Sequence, residues 1–183
     1  MIENIFSTGI TKANLSGFDN KPFVEYAEEN SLQNANKDMT SILNDSKFNV
    51  LNGTVLDLMT EFYNKIYTDT KYKIYLKEAW TNVNNDKLIT FPHNHKECLL
   101  SAVYYPLSTD GEIVFLNPMQ SLLARQNNDM VKDYNQYNSE YYRLKVSTGD
   151  LVIFNSMLYH FITPSEFKRI SIAYNGDIKK GGN

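Results

Sequence analysis

The spacing of apolar positions divides the chain into a helical beginning and a β-rich remainder. The segment 52–70 has apolar residues at helical spacing, namely Val55, Leu58, Met59, Phe62 and Ile66. Thr54 and Asp57 resemble a capping box at its start. A second helix is predicted within 20–35, where Pro22 follows the candidate cap Asn20. The stretch between them, 34–51, is ambiguous and fits a short helix and a loop.

From residue 72 onwards the pattern changes to short segments rich in β-branched and aromatic residues, which is typical of strands. Turn signals such as Asp110-Gly111 and Gly149-Asp150 separate them. The predicted strands lie within 72–84, 98–107, 111–118, 141–147, 149–156, 159–164 and 168–176. Seven or eight strands after a helical start predict a mainly β fold of the α+β class, a sandwich or jelly roll with helices packed on one side.

We expect a single domain over 1–183, with a helical part at 1–70 and a β core at 71–177. A polar, weakly periodic insert at 118–140 interrupts the strands. Long inserts in compact domains are often functional lids, and a mobile surface loop is the alternative interpretation.

Composition restricts the classes of partner. A net charge of −3 and a pI near 5.6 give no general attraction to phosphate backbones, so nucleic acid is disfavoured as a partner. The single cysteine, Cys98, cannot form an internal disulfide, which fits a reducing cytoplasm. The N-terminus lacks a secretory pattern, and no apolar run is long enough for a membrane span. We therefore predict a cytoplasmic protein without a membrane partner, and exposed β edges make a homodimer conceivable.

The three histidines indicate a metal site. His93 and His95 are one residue apart, and residues two positions apart on an extended strand share a face. His160 opens a later predicted strand and offers a third imidazole. Because Glu97 follows His95 at the spacing of a two-histidine, one-carboxylate triad, two ligand sets remain open: His93, His95 and His160, or His95, Glu97 and His160.

Arg169 follows His160 by nine residues, and Ser171 shares its strand face by the period-two rule. A turn at Pro164 would let His160 and Arg169 lie on neighbouring strands. An arginine inside a β barrel is costly unless it meets an anion, and a guanidinium beside a hydroxyl suits a carboxylate. An ordinary edge arginine is the alternative interpretation.

The order His-x-His, then His, then Arg-x-Ser resembles the 2-oxoglutarate- and Fe(II)-dependent oxygenases. More narrowly, "PHNHKECLLSAVYYP", "GEIVFLNP", "GDLVIFNSMLYHFITP" and "RISIAYN" are similar to a bacterial and phage family of these enzymes over about residues 78–175. Ala102 stands where that family has glycine. The superfamily's usual His-x-Asp reads as His93-x-His95 here, so three histidines are the first ligand set and Glu97 is the alternative.

The resemblance implies a double-stranded β-helix that holds Fe(II) and 2-oxoglutarate and uses O₂. It implies hydroxylation of a C–H bond, with decarboxylation of 2-oxoglutarate to succinate and CO₂. Arg169 and Ser171 would bind the distal carboxylate of 2-oxoglutarate, and Tyr104 is favoured over Tyr105 as a further contact. Asn82, which shares a strand face with Trp80, is a contact to the cosubstrate or the substrate.

The primary substrate is expected to be a small molecule or a protein side chain. Two other functions remain open at this point. A three-histidine dioxygenase of the cupin type would use iron and O₂ without 2-oxoglutarate, and a non-enzymatic jelly-roll module would use the histidines structurally or for zinc.

Overall fold

The computed structural model describes residues 7–30, 41–67, 71–84 and 90–181, and structural statements below refer to these residues. Three α-helices precede most of the strands: α1 (Lys21–Asn30), α2 (Ser41–Asn44) and α3 (Asn49–Ile66). The described residues contain eight strands, of which only the first precedes the helices. In chain order they are β1 (Ile10–Asn14), β2 (Tyr72–Asn84), β3 (Leu100–Leu107), β4 (Gly111–Leu116), β5 (Tyr141–Val146), β6 (Asp150–Asn155), β7 (His160–Ile162) and β8 (Arg169–Lys180). Every predicted strand is confirmed.

The strands form two antiparallel sheets that face each other. The major sheet has five strands in the order β1-β6-β3-β8-β2, and the minor sheet has three in the order β5-β4-β7. The predicted sandwich of jelly-roll type, with the helices against one side, is therefore confirmed.

Side-chain alternation gives the major sheet two different faces. On one face, Ala102 and Tyr174 join a core that includes Phe48 and Met59 of the helical part. On the other face, Val103 packs in a second core shared with residues of the minor sheet. We call the space between the two sheets the barrel interior, and any polar side chain on this second face of the major sheet points into it.

The helical part differs from the sequence prediction in detail. The helix predicted over 52–70 begins earlier, at Asn49, and its last residue is Ile66. The capping box at Thr54 is wrong, because Thr54 lies inside α3 and its hydroxyl donates to the Val50 carbonyl at 2.9 Å. The ambiguous stretch 34–51 contains α2 and a short 3₁₀ turn at Ser46–Phe48, while its residues 34–40 lie outside the described part of the chain.

Strand β1 was missed by the sequence analysis, and the insert contains no strand. β1 pairs with β6 in register from Ile10–Phe154 to Asn14–Asp150. The insert at 118–140 contains two 3₁₀ turns, and its base is closed by the Asn117 amide, which donates to the Glu140 carbonyl at 2.8 Å. A role as a lid stays a prediction.

Within the described ranges, no helix combines the length and the apolar character that crossing a membrane requires.

Candidate metal centre

The three histidines of the chain converge at one end of the barrel interior. Their candidate ligand nitrogens all lie within 4.8 Å of one another. The ring centroids are 4.5 Å apart for His93 and His160, 5.2 Å for His93 and His95, and 5.3 Å for His95 and His160. Three imidazoles at this separation form a set of nitrogen ligands for one divalent metal.

Backbone pairing brings the histidines together. His93 and His160 form an isolated antiparallel bridge with amide-to-carbonyl distances of 3.0 and 2.9 Å. The His95 amide donates to the Ser156 carbonyl at 2.9 Å, in the turn between β6 and β7. The His-x-His pair therefore lies on an extended segment before β3 rather than on a regular strand, and its partner is the start of β7.

Two of the rings have a fixed tautomer. The Nδ1 atoms of His93 and His160 each lie 2.9 Å from a backbone carbonyl oxygen, of Phe91 and Leu158 respectively. A carbonyl oxygen only accepts hydrogen bonds, so each Nδ1 carries the proton. Each Nε2 therefore keeps its lone pair free for a metal.

Burial favours the neutral form that a metal ligand needs. Burial lowers the pKa of His160 to about 4, against the opposing effect of its hydrogen bond to the Leu158 backbone. Burial also lowers the pKa of His95, His93 lowers it further, and Glu78 raises it. Both rings are thus neutral imidazoles at neutral pH.

The centre has an apolar lining. The rings of Phe154 and Phe115 lie 4.7 and 6.2 Å from that of His160, and the Trp80 ring lies 5.7 Å from that of His95. The predicted alternative ligand, Glu97, is exposed in the turn after His95 and is not part of the cluster. The geometry thus favours the three-histidine set.

Arg169, at the start of β8, is buried in the barrel interior with 1% of its surface exposed. Its Nη2 donates to the Thr163 carbonyl at 3.1 Å, while Nε and Nη1 have no hydrogen-bond partner among the described residues. Burial lowers the pKa of Arg169, and electrostatic interactions with Tyr105 and Asp110 oppose that effect. A buried guanidinium with two unpaired nitrogens is a receptor for an anion, carboxylate above all.

Gly111 makes room for this guanidinium. A Cβ atom at Gly111 would lie 2.8 Å from the Ser108 hydroxyl and 3.0 Å from both Cδ and Nη1 of Arg169. The sequence marked Asp110-Gly111 only as a turn. The structure shows that the absent side chain is also what allows the arginine to pack against the backbone of β4.

Ser171 and Asn82 line the same interior face as Arg169. They are register partners on β8 and β2, and the Asn82 amide lies 3.5 Å from the Ser171 hydroxyl. The expectation that His160 and Arg169 lie on neighbouring strands is wrong, because β7 belongs to the minor sheet and β8 to the major sheet. The two residues belong to opposite sheets instead, and both side chains are buried.

Tyr104 does not point into the barrel interior, so its predicted contact to the cosubstrate is wrong. Its ring packs in the core between the sheet and the helices, and its hydroxyl donates to the Asn20 side chain at 2.5 Å. Tyr105 has the interior position instead, and its buried hydroxyl has no partner in the described part of the chain. Alternation requires one of the two tyrosines to face inward, and no local pattern indicates which one.

The part of the chain that contains the three histidines and Arg169 matches a known protein family. A family model described as "Putative 2OG-Fe(II) oxygenase" matches residues 78–175, more than half of the 183-residue chain. The chain belongs to this family. The predicted resemblance is thereby confirmed, and with it the cofactors that the family name states, Fe(II) and 2-oxoglutarate. No match was found among curated proteins.

Solved structures of such oxygenases share the fold at low identity. The chain is similar to HygX from Streptomyces hygroscopicus with nickel and 2-oxoglutarate bound (12% identity, 93% of this chain, 83% of that chain, TM-score 0.61). It is also similar to a Pseudomonas putida prolyl-4-hydroxylase (14%, 96% and 90%, TM-score 0.58). The double-stranded β-helix is thus confirmed. The chain covers only 58% of the length of a Burkholderia pseudomallei 2OG-Fe(II) oxygenase, and 72% of this chain is matched (15% identity, TM-score 0.48).

The residues of this oxygenase fit both groups that its family name implies. The three-imidazole cluster is a donor set for Fe(II), and the two unpaired nitrogens of Arg169 are donors that a dicarboxylate would satisfy. Sequence reasoning missed Tyr105 as the inward tyrosine, Gly111 as the backbone beside the guanidinium, and Asn175 beside His95. For Asn175, its period-two spacing from Ser171 was the available signal.

Proposed function

We propose that the chain oxidises a C–H bond of its substrate, using Fe(II) held by His93, His95 and His160. The distal carboxylate of 2-oxoglutarate would bind Arg169. The observation that supports this most strongly is the buried Arg169, whose Nε and Nη1 lack partners among the described residues while facing the same interior as the histidines. Burying a guanidinium with two unpaired nitrogens costs free energy, and a bound carboxylate would offset that cost.

The histidines would supply three neutral nitrogen ligands, with His93 and His160 presenting Nε2 because their Nδ1 protons are held by carbonyls. When bound, Fe(II) and 2-oxoglutarate together activate O₂, which oxidises the substrate and yields succinate and CO₂. A ligand set of three neutral side chains leaves the positive charge of the metal uncompensated by protein, which favours an anionic cosubstrate.

Arg169 would donate to the distal carboxylate through the two nitrogens that lack partners. The Ser171 and Tyr105 hydroxyls face the same interior and can donate to the same group. Asn82 would orient the Ser171 hydroxyl from β2, given their 3.5 Å separation. The rings of Phe115 and Phe154 would keep water away from the reacting centre.

We propose a substrate that is a small molecule or a protein side chain and that enters beside β5. Tyr142 of β5 is the register partner of Phe115, so it shares the inner face of the minor sheet, and it is 57% exposed. Phe115 in turn is the register partner of His160. An exposed aromatic ring on this path offers an apolar contact for an incoming substrate.

An anaerobic titration tests the proposed binding sites. Wild-type protein with Fe(II) should develop a weak visible charge-transfer band when 2-oxoglutarate is added. Arg169→Met should weaken cosubstrate binding at least about tenfold, because a charge-assisted double hydrogen bond is lost. Arg143→Met is the matched control, since Arg143 lies on the opposite face of the minor sheet, paired to Glu112 at 3.2 Å.

Glu97→Ala distinguishes the two ligand sets in the same titration. The band should keep its intensity in this variant if three histidines hold the metal. Loss of the band with Glu97→Ala would reject the three-histidine set, and iron binding without any band in the wild type would reject the proposed cosubstrate site.

A further inference from the structure

A buried network of polar side chains contacts Nδ1 of His95, and the proposed function assigns no role to this network. The Asn175 amide nitrogen lies 3.1 Å from His95 Nδ1 and donates to Glu78 Oε2 at 3.0 Å. The Asn175 amide oxygen accepts from the Ser101 hydroxyl at 2.9 Å, and the Ser101 and Ser156 hydroxyls are 2.8 Å apart. Ser101, Ser156 and Asn175 are each at most 3% exposed.

This arrangement gives His95 a different tautomer from the other two histidines. Asn175 uses one amide hydrogen for Glu78, and the other points at His95 Nδ1. That Nδ1 therefore accepts, and the proton of the neutral ring lies on Nε2. A protonated ring nitrogen has no lone pair to give to a metal, so His95 cannot ligate through Nε2 in this arrangement.

We propose that the side-chain amide of Asn175 turns over when a metal binds, which makes Asn175 a positioning residue that couples His95 to the network. This inference rests on the proposed three-histidine site. In the turned arrangement the amide oxygen accepts from His95 Nδ1–H, and His95 Nε2 is free to ligate. The proton moves from Nε2 to Nδ1 by exchange with water, so no net charge changes.

The two serines keep their hydrogen bonds to each other and to Asn175 in both arrangements. In the first arrangement Ser156 donates to Ser101, and Ser101 donates to the Asn175 oxygen. After the turn the Asn175 nitrogen donates to the Ser101 oxygen, and Ser101 donates to Ser156. Either hydroxyl of the pair can be the donor at 2.8 Å, so both arrangements satisfy the chain of hydrogen bonds.

Glu78 favours the arrangement without metal. Its carboxylate only accepts hydrogen bonds, and it lies 3.0 Å from the amide nitrogen. After the turn, this carboxylate faces the amide oxygen, so two acceptors meet and the donor is lost. A glutamine at position 78 could donate to that oxygen, and Glu78→Gln should therefore favour the arrangement that is competent for metal.

The tautomers can be measured directly by long-range ¹H–¹⁵N NMR of the histidine rings, with Zn(II) as a diamagnetic probe. In the metal-free wild type we expect Nε2–H for His95 and Nδ1–H for His93 and His160. Saturation with Zn(II) should convert His95 to Nδ1–H and leave the other two unchanged. In metal-free Glu78→Gln, the Nδ1–H fraction of His95 should rise.

Metal affinity provides the second readout. Asn175→Leu removes the acceptor for His95 Nδ1–H and should weaken Zn(II) binding about tenfold or more, which is typical when the partner of a metal-bound histidine is lost. Asn52→Leu is the matched control, because Asn52 is a part-buried amide on α3 that donates to the Ile42 carbonyl. The control should bind Zn(II) like the wild type.

The outcomes distinguish a failure of this inference alone from a failure of the proposed metal site. If Zn(II) binds the wild type while His95 keeps one tautomer throughout, the turning amide is rejected and the metal site stands. Equal affinities of Asn175→Leu and Asn52→Leu reject it as well. If the wild type binds no Zn(II), the three-histidine site and the inference both fail. The two NMR measurements do not need Asn175→Leu to fold.

Discussion

Tyr104 and Tyr105 are neighbours of the same residue type, but the structure gives them different surroundings. Tyr104 faces the helices and donates its hydroxyl to Asn20 just before α1. Tyr105 faces the barrel interior, where its hydroxyl has no partner among the described residues and the Arg169 guanidinium interacts with it electrostatically. A shift of the strand register by one residue would exchange these roles, so the assignment depends on pairing with β6 and β8 rather than on residue type.

Removing each hydroxyl in turn should separate stability from cosubstrate binding. Tyr104→Phe should lower the free energy of unfolding by about 1 kcal/mol, because the side-chain oxygen of Asn20 loses its donor, and leave the affinity for 2-oxoglutarate unchanged. Tyr105→Phe should weaken the binding of 2-oxoglutarate several-fold without loss of stability, because its hydroxyl has no hydrogen-bond partner among the described residues.

Chemical denaturation and the anaerobic titration measure these two quantities. The variants are matched in chemistry and adjacent in sequence, so each is the control of the other. Weaker cosubstrate binding in Tyr104→Phe with normal binding in Tyr105→Phe would contradict the observed faces.

At the scale of elements, the apolar pattern of α3 predicted the helix but not its beginning. Of the apolar positions that predicted it, Val55, Met59 and Phe62 are buried, Leu58 is half-buried and Ile66 is exposed. The helix continues upstream past Gly53 to Asn49, although glycine is a poor helix former. Packing of Leu51 and Phe48 into the core outweighs the local preference there.

Gly53 and Gly149 form a pair in which the same substitution should have opposite effects. Gly53 is exposed in α3, and a Cβ at that position would meet nothing within 4 Å, so Gly53→Ala should raise the free energy of unfolding by about 0.5–1 kcal/mol. Gly149 has φ of 88°, a conformation that side chains disfavour, so Gly149→Ala should lower it by about 1 kcal/mol.

Thermal or urea unfolding of both variants against wild type is sufficient for this test. If Gly53→Ala instead lowers the free energy of unfolding, then position 53 lacks the open space around it that the structure shows.

At the scale of the whole molecule, the metal centre exists only because both sheets contribute to it. His160 belongs to the minor sheet, His93 bridges to it, and His95 is held by the turn that leaves β6. Arg169 enters from the major sheet, and the Gly111 backbone of the minor sheet lies against it. Closing the two sheets buries these groups together, which costs free energy that the two hydrophobic cores must offset.

This burial predicts how stability depends on pH when metal is removed by a chelator. Burial lowers the pKa of His160 to about 4 in the folded protein, below the value of 6.5 that is usual for an exposed histidine. Between these values the unfolded chain binds more protons, so the free energy of unfolding should fall as pH decreases from about 6.5 to 4. The contribution of His160 is fully present above about pH 6.5, and its loss should reach about 3 kcal/mol.

Urea denaturation at a series of pH values measures this slope. His160→Gln should flatten the curve in this window, and the slope that remains includes the contribution of His95, whose pKa burial also lowers. An unchanged slope in His160→Gln would show that His160 is not the group responsible.

Local sequence patterns predicted seven of the eight described strands, the two-layer class and the histidines and arginine of the candidate site. Period-two and helical spacings are local, and the His-x-His and Arg-x-Ser patterns lie within short segments. Three features depend on how the strands pair in the folded chain: which tyrosine faces inward, the position of His160 and Arg169 in opposite sheets, and the contact of Asn175 with His95. These are consequences of strand order and register, which arise from pairing between segments far apart in the chain and are not encoded in any one of them.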